Sequence, residues 1–242
     1  PDQHFDAVIN LAGEPIADKA WTAKQQQVLR DSRIALTQSL VAAMQAAQHK
    51  PRVLLSGSAI GYYGDTGDLS VDESSPAPLQ DFSSRLCADW QAAALQAQAF
   101  GVRVCLLRTG LVLSPTGGML AKMRLPARLG LGAKIGDGQQ WMSWVHLQDY
   151  VAMVLYLLQS PQAQGAYNMT APNPVQNAVF MQAFSRSLHR PCWLTLPAGL
   201  MRLLLGERAA LLLGGQKVLP RRLQNLGYVF CYPSLVQALA AV

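Results

Sequence analysis

Asp6-Ala7-Val8-Ile9-Asn10-Leu11-Ala12-Gly13 is the stretch that decides the fold. A short apolar run ends in small residues, the pattern of a strand buried in a parallel sheet and leaving it into a loop. The pattern recurs at Arg52-Val53-Leu54-Leu55-Ser56-Gly57-Ser58. It recurs again at Val102-Arg103-Val104-Cys105-Leu106-Leu107, which runs on into Arg108-Thr109-Gly110-Leu111. Between these runs the apolar spacing becomes helical. Val28, Ile34, Leu36, Leu40, Val41 and Met44 follow a Thr22/Gln25 capping box, and Lys50-Pro51 closes the segment. Phe82 to Phe100 reads as a second long helix, stopped by Gly101.

Strands alternating with long helical crossovers predict an α/β protein with a doubly wound parallel sheet. Ligands of such sheets lie beyond the carboxyl ends of the strands. Three strand ends therefore belong to the candidate site: Asn10 to Gly13, Ser56 to Ser58, and Arg108 to Gly110. Downstream, the pattern predicts a helix over 119–129, a strand at Trp144-Val145-His146 and a helix over 147–158. A strand at Ala166-Tyr167-Asn168-Met169 follows. The remainder holds a helix near 175–188, a strand at 192–196, and helices near 198–213 and 234–241.

Composition narrows the class. Half of the 242 residues are apolar and 14% are charged, enough for one large α/β domain or a domain plus a small lobe. Cys87, Cys105, Cys192 and Cys231 are scattered with no CxxC pair, which argues against a disulfide framework or zinc site and fits a reducing, cytoplasmic setting. The four histidines show no metal-ligand spacing. The opening Pro1-Asp2-Gln3-His4-Phe5-Asp6 is too polar for a signal peptide. The greasiest stretch, Leu200 to Leu213, is interrupted by Arg202, Glu207 and Arg208, so it is expected to be a buried helix and no membrane span. Net charge is +6, but the basic residues lack aromatic interleaving, so no nucleic-acid partner is expected.

The strand ends, in this order and at these intervals, resemble the second half of the extended short-chain dehydrogenase/reductases. Asn10-Leu11-Ala12-Gly13 resembles that family's Asn-Ala-Gly segment. Ser56-Gly57-Ser58 with Tyr62-Tyr63-Gly64-Asp65 resembles its serine-bearing stretch. Trp144-Val145-His146-Leu147-Gln148-Asp149 resembles a signature of sugar-nucleotide epimerases. Glu14-Pro15-Ile16, Arg128-Leu129-Gly130-Leu131-Gly132, Gly215-Gln216-Lys217-Val218-Leu219-Pro220 and Leu226-Gly227-Tyr228 narrow the likeness to the bacterial YfcH-type epimerase-family proteins.

The resemblance implies a Rossmann-like fold in its C-terminal portion, binding NADP or NAD, with a small C-terminal substrate lobe. Residues 1–170 would be the remaining dinucleotide-binding part. Residues 171–242, joined by 113–134, would form the lobe. Cofactor contacts would come from Asn10, Leu11, Ala12, Gly13, Glu14, Ser56, Arg108, Thr109, Gly110 and Leu111. Ser58 with Tyr62 or Tyr63 would supply the chemistry of an oxidoreductase or epimerase. Lys122, Arg124 and Arg128 could meet a phosphate on a nucleotide-linked or other small substrate. The two long helices could build a homodimer.

Two departures shape the expectation. No Gly-x-x-Gly-x-x-Gly turn exists in the chain, and its absence would leave one sheet edge open. No tyrosine has a lysine four residues on; Phe82 and Leu86 stand at the helix start where that pair is expected, with Arg85 beside them. A non-catalytic dinucleotide-binding sensor is therefore the alternative. The plainer readings also stand: Ser56 and Ser58 as loop hydrogen-bonders, Arg108 as a structural cation, and His146 tying down a strand–helix junction.

Overall fold

The computed structural model describes residues 4–242. Its centre is a four-stranded, all-parallel sheet in the spatial order Ala7–Asn10, Val53–Ala59, Arg103–Thr109, Gly165–Met169. Successive side chains alternate between the faces of a strand, so each run of apolar residues supplies two cores. Leu54, Val104 and Leu106 pack with Val41, Met44 and Ala94 of the helices on one face. Leu55, Cys105 and Leu107 pack with Met153, Leu157 and Tyr167 on the other. Both faces are covered, and the chain adopts a Rossmann-like α/β fold.

The covering helices start and stop for local reasons. Thr22 caps the first, accepting from Gln25 N at 3.2 Å. That helix runs Ala23–Arg30, passes through a π-helical segment Asp31–Ala35, and continues Leu36–Ala46. Asp81 caps Phe82–Leu95, accepting from Ser84 N at 2.7 Å. A 3₁₀ turn Gln96–Phe100 and Gly101, at φ 84°, end it. Helix Leu147–Gln159 lies on the opposite face. The outer edge of Ala7–Asn10 has no strand partner among the described residues, and Ile9 is 45% exposed there.

A second core lies beside the sheet. Leu120, Ala127, Phe180, Phe184, Ala238 and Leu239 bring together helices Gly118–Arg128, Asn177–Ser187 and Leu235–Ala240. Four two-stranded pairings stitch this region to the main sheet: Leu111–Leu113 with Trp144–His146, Ser70–Val71 with Lys217–Val218, Gly132–Ile135 with Cys192–Leu196, and Trp141–Met142 with Val175–Gln176. Strands of two residues leave no periodic trace in a sequence, so 61–78 reads as plain loop.

The expected buried helix at the greasy C-terminal stretch needs correction. It is broken into Ala198–Leu205, a 3₁₀ turn Gly206–Ala209 and Ala210–Leu213, with Gly206 at φ 56°. Leu203 is 81% and Leu204 63% exposed. Apolar character alone did not bury the segment; among its residues only Met201 and Ala209 are fully buried. Among the described residues, no helix is long and apolar enough to cross a membrane.

Candidate functional site

Parallel register brings the three sequence-predicted strand ends to one side of the sheet. Asn10 lies beside Ser56, Ser58 beside Arg108, and Ala59 beside Thr109. Beyond Asn10 the chain forms a ledge on which Leu11, Ala12 and Gly13 are exposed. The ledge is braced from beneath. Asn10, itself buried, donates through Nδ2 to Thr37 Oγ1 at 3.0 Å, and its Oδ1 accepts from Ala12 N at 3.2 Å. Glu14 N donates to Ser32 Oγ at 3.0 Å, and Arg33 Nη2 donates to the Glu14 carbonyl at 2.9 Å. Ser32 and Arg33 belong to the π-helical segment. Its wider turn sets residues that hold the ledge, in keeping with the association of π-bulges with functional sites. A Cβ on Gly13 would meet the Arg33 guanidinium at 3.0 Å, a flexible neighbour.

The second and third strand ends meet in a buried polar network. Arg108 is 5% exposed. Its Nη1 donates to Tyr63 Oη at 2.8 Å and its Nη2 to Gln91 Oε1 at 3.2 Å. Gln91 Nε2 donates to Ser58 Oγ at 2.7 Å. The Tyr63 hydroxyl donates to Asn168 Oδ1 at 2.7 Å, and Asn168 N donates to Glu73 Oε1 at 3.0 Å. Among the described residues no carboxylate pairs with Arg108; its charge is held by neutral acceptors and by the Tyr62 ring, 3.7 Å beneath the guanidinium carbon. Burial pushes the Tyr63 hydroxyl up to about 12, against the opposing pull of Arg108. Burial also raises the Glu73 carboxyl. Tyr63 thus stays protonated at neutral pH and is committed on both sides. The Tyr62 hydroxyl makes no hydrogen bond among the described residues. Ser56 is fully buried, with only a long 3.5 Å contact to the Gly57 carbonyl. The Thr109 hydroxyl donates to the Leu107 carbonyl at 3.1 Å and lies 3.2 Å from Tyr150 Oη.

Past Ile60 and Leu111 a cavity of about 130 Å³ opens between the sheet and the second core. Met119, Met123, Met142 and Met181 line it, together with Ile135, Trp141, Leu211 and Leu212. Its polar lining is Gln140, Ser143, Asn177 and Gln216; among the described residues no charged side chain lines it. Two glycines make this wall possible. A Cβ on Gly110 would stand 2.6 Å from the Ser143 carbonyl oxygen and 2.7 Å from Thr170 Cγ2, and one on Gly215 would collide with the Trp141 backbone. Gly110 is therefore required by the approach of the chain to itself.

The three basic residues expected at a substrate phosphate do not line the cavity. On helix Gly118–Arg128 the cavity takes Met119 and Met123, one turn apart. Lys122 is ion-paired with Asp18. Arg124 Nη1 donates to the Pro115 carbonyl at 3.3 Å, and Arg128 is exposed.

Residues 1–170 match the family model described as the NAD dependent epimerase/dehydratase family. The chain belongs to that family. Residues 196–242 match a domain of unknown function, DUF1731. An epimerase family protein of Mycobacterium bovis is 44% identical over 235 residues, which span 97% of this chain and 77% of that protein. The crystal structure of the human epimerase family protein SDR39U1 (isoform 2) with NADPH superposes with a TM-score of 0.95 at 35% identity. The match covers 99% of this chain and 82% of that one. A nucleoside-diphosphate sugar epimerase from Corynebacterium glutamicum aligns with a TM-score of 0.77 at 30% identity, over 97% of this chain and 45% of that one.

In this epimerase-family chain, Phe82 packs against Trp21 with ring centroids 5.1 Å apart. Arg85 Nη1 donates to the Leu79 and Gln80 carbonyls at 3.2 and 2.9 Å, which fixes it to the loop before the helix. His146 is the N-cap of helix Leu147–Gln159, with Nδ1 accepting from Gln148 N at 3.2 Å and the ring 4.0 Å from that of Tyr232. Asp149 is buried beside it and accepts from Cys231 N and Tyr232 N at 2.9 and 2.8 Å, tying down the C-terminal segment. Gln91, Glu73 and Asn168 escape notice as sequence. For Gln91 a signal exists: it shares a helical stripe with Leu86, Cys87, Trp90 and Ala94, where a polar residue must be bonded to something.

Proposed function

We propose that the protein is an NADP(H)- or NAD(H)-dependent oxidoreductase or epimerase acting on a small substrate. The observation that carries this reading is the match across 99% of the chain to a relative solved with NADPH. The ledge Leu11–Glu14 and the strand ends at Ser56 and Arg108–Leu111 lie on the side of the sheet where a dinucleotide is held in this fold. The Arg33 guanidinium beneath the ledge adds positive charge beside it. Residues 171–242, with 113–134, form the substrate-side lobe in this reading, and the cavity beyond Ile60 and Leu111 is where substrate sits. In this reading Ser58 and Tyr62, two residues either side of the cavity-lining Ile60, act on the substrate. Tyr62 keeps a hydroxyl without a partner among the described residues, and its ring lies against the Arg108 guanidinium.

Calorimetric titration of the natural gene product with NADPH tests the reading, alongside its Gly13→Val variant. The variant is expected to bind at least about tenfold more weakly while its ligand-free melting temperature stays nearly unchanged, because the atoms nearest that Cβ are the far end of the long Arg33 side chain. Absence of NADPH and NADH binding by the wild-type protein would overturn the proposal.

A further inference from the structure

We infer that the cavity takes a small uncharged molecule with an apolar body about the size of a six-membered ring and one or two polar atoms, rather than a sugar nucleotide. This rests on the reading of the cavity as the substrate site and concerns which molecules fit it. The first argument is size. The cavity is partly open to solvent and has a volume of about 130 Å³, so the part of a ligand it encloses is about the size of benzene, which an engineered apolar cavity of roughly 150 Å³ accepts.

The second argument is charge. A diphosphate removed from water needs cations or several aligned N–H donors. Among the described residues, no Lys, Arg or His lines the cavity. Lys122 is held by Asp18, and Lys217 lies over the Trp141 ring with Nζ 4.3 Å from its centroid.

The third argument counts the remaining hydrogen-bonding capacity. Gln140 Nε2 is spent on the Ile135 and Leu212 carbonyls at 3.1 and 2.8 Å. Ser143 donates to the Gln216 carbonyl at 2.7 Å and accepts from Val218 N at 2.9 Å. Asn177 Oδ1 accepts from Ile135 N at 2.9 Å, and its Nδ2 faces Met142 Sδ at 3.3 Å. What is left for a ligand is the Gln140 carbonyl oxygen, one Asn177 N–H and the Gln216 side chain. A hexose brings several hydroxyls, and each one buried without a partner costs about 1–3 kcal/mol. Four methionines around such a site give a wall that adapts to varied apolar shapes.

The test is calorimetric titration of the protein with acetophenone, cyclohexanone and UDP-glucose, first without dinucleotide and then with NADPH present. At least one ketone is expected to bind saturably, and to bind still in the presence of NADPH. UDP-glucose is expected neither to bind in the cavity nor to displace the ketone. Met123→Lys places a charge on a half-buried wall position and is expected to weaken ketone binding about tenfold or more. Met119→Trp, which fills the cavity instead, is expected to do the same, so loss of folding in one variant leaves the other. Failure of both ketones to bind, displacement of ketone by UDP-glucose, or ketone affinity unchanged in a folded variant would each overturn the inference. Displacement of ketone by NADPH would also overturn it, by assigning the cavity to the nicotinamide. Loss of NADPH binding alone would strike the proposed function and leave the ketone result standing.

Discussion

Tyr63→Phe removes one oxygen from the centre of the buried network. That oxygen donates to Asn168 Oδ1 and accepts from Arg108 Nη1. Asn168 Oδ1 has no other partner among the described residues and would be orphaned. Arg108 Nη1 keeps only the Glu73 carbonyl, at 3.4 Å. An orphaned buried acceptor and a weakened charged donor together cost about 2–3 kcal/mol. Unfolding entropy is about 2.1 cal/mol/K per residue, or about 0.5 kcal/mol/K for 242 residues. The expected fall in melting temperature is therefore about 4–6 °C. Tyr62→Phe is the control, because its hydroxyl supports no such bond, and its melting temperature is expected to stay within about 1 °C. Calorimetric melting of both variants, with urea unfolding to confirm a single transition, measures the difference. Equal melting temperatures for Tyr63→Phe and wild type would refute the account of Tyr63 as a strut of the network.

The remaining predictions probe other parts of the site. Tyr62→Phe is expected to lower turnover about 10²-fold or more with little change in NADPH affinity; steady-state assays of the natural gene product check it, and full activity would remove Tyr62 from the chemistry. Gly110→Ala drives a methyl into the Ser143 carbonyl and Thr170, and should destabilise the ligand-free protein by about 1–3 kcal/mol, read as a lowered urea midpoint. His146 is 3% exposed, and burial holds its pKa below the ordinary value. The unfolded chain then takes up that proton at higher pH than the folded one, so the contribution to stability is full above about pH 6.5 and falls as pH drops below it. A second proton would have to enter at Nδ1, the atom that accepts from Gln148 N. Melting curves from pH 8 to 5, compared between wild type and His146→Asn, should show a shallower acid loss in the variant.

Strands whose residues alternate between two cores left a clear record in the sequence. Val53 to Ala59 and Arg103 to Thr109 are apolar on both faces because helices cover both. The helix ends at Thr22 and Gly101 were equally plain, since both do by local bonding what their chemistry suggests. The candidate cofactor ledge from Asn10 to Glu14 rested instead on likeness to a family. The network around Arg108 could not be read in the sequence. Its members come from positions 58, 63, 73, 91, 108 and 168, and no local pattern links them before the sheet aligns them. Leu200 to Leu213 misled because hydrophobicity fixes what a segment would gain by burial, while the broken path through Gly206 decides which side chains receive it. Gly110 was assigned to a dinucleotide on likeness, whereas the close approach of Ser143 explains its lack of a side chain.

The threading of 214–218 past Trp141 and beside 65–71 bears on how the molecule is made. Gly215 N donates to Asp65 Oδ1 across 150 residues of chain, and the pairing of Lys217–Val218 with Ser70–Val71 is equally remote. Contacts of such span carry a high loop-closure entropy and form after the local nuclei. During synthesis this segment leaves the ribosome after the central strands, which are by then available to pair. Until it docks, the hydroxyl of Ser143 lacks both of the partners that hold it in the cavity wall. An arrested or proteolytically clipped chain ending before Gly214 would keep a sheet and two layers of helices without a competent wall, so protection of the 65–71 loop from proteases is a direct readout of completed folding.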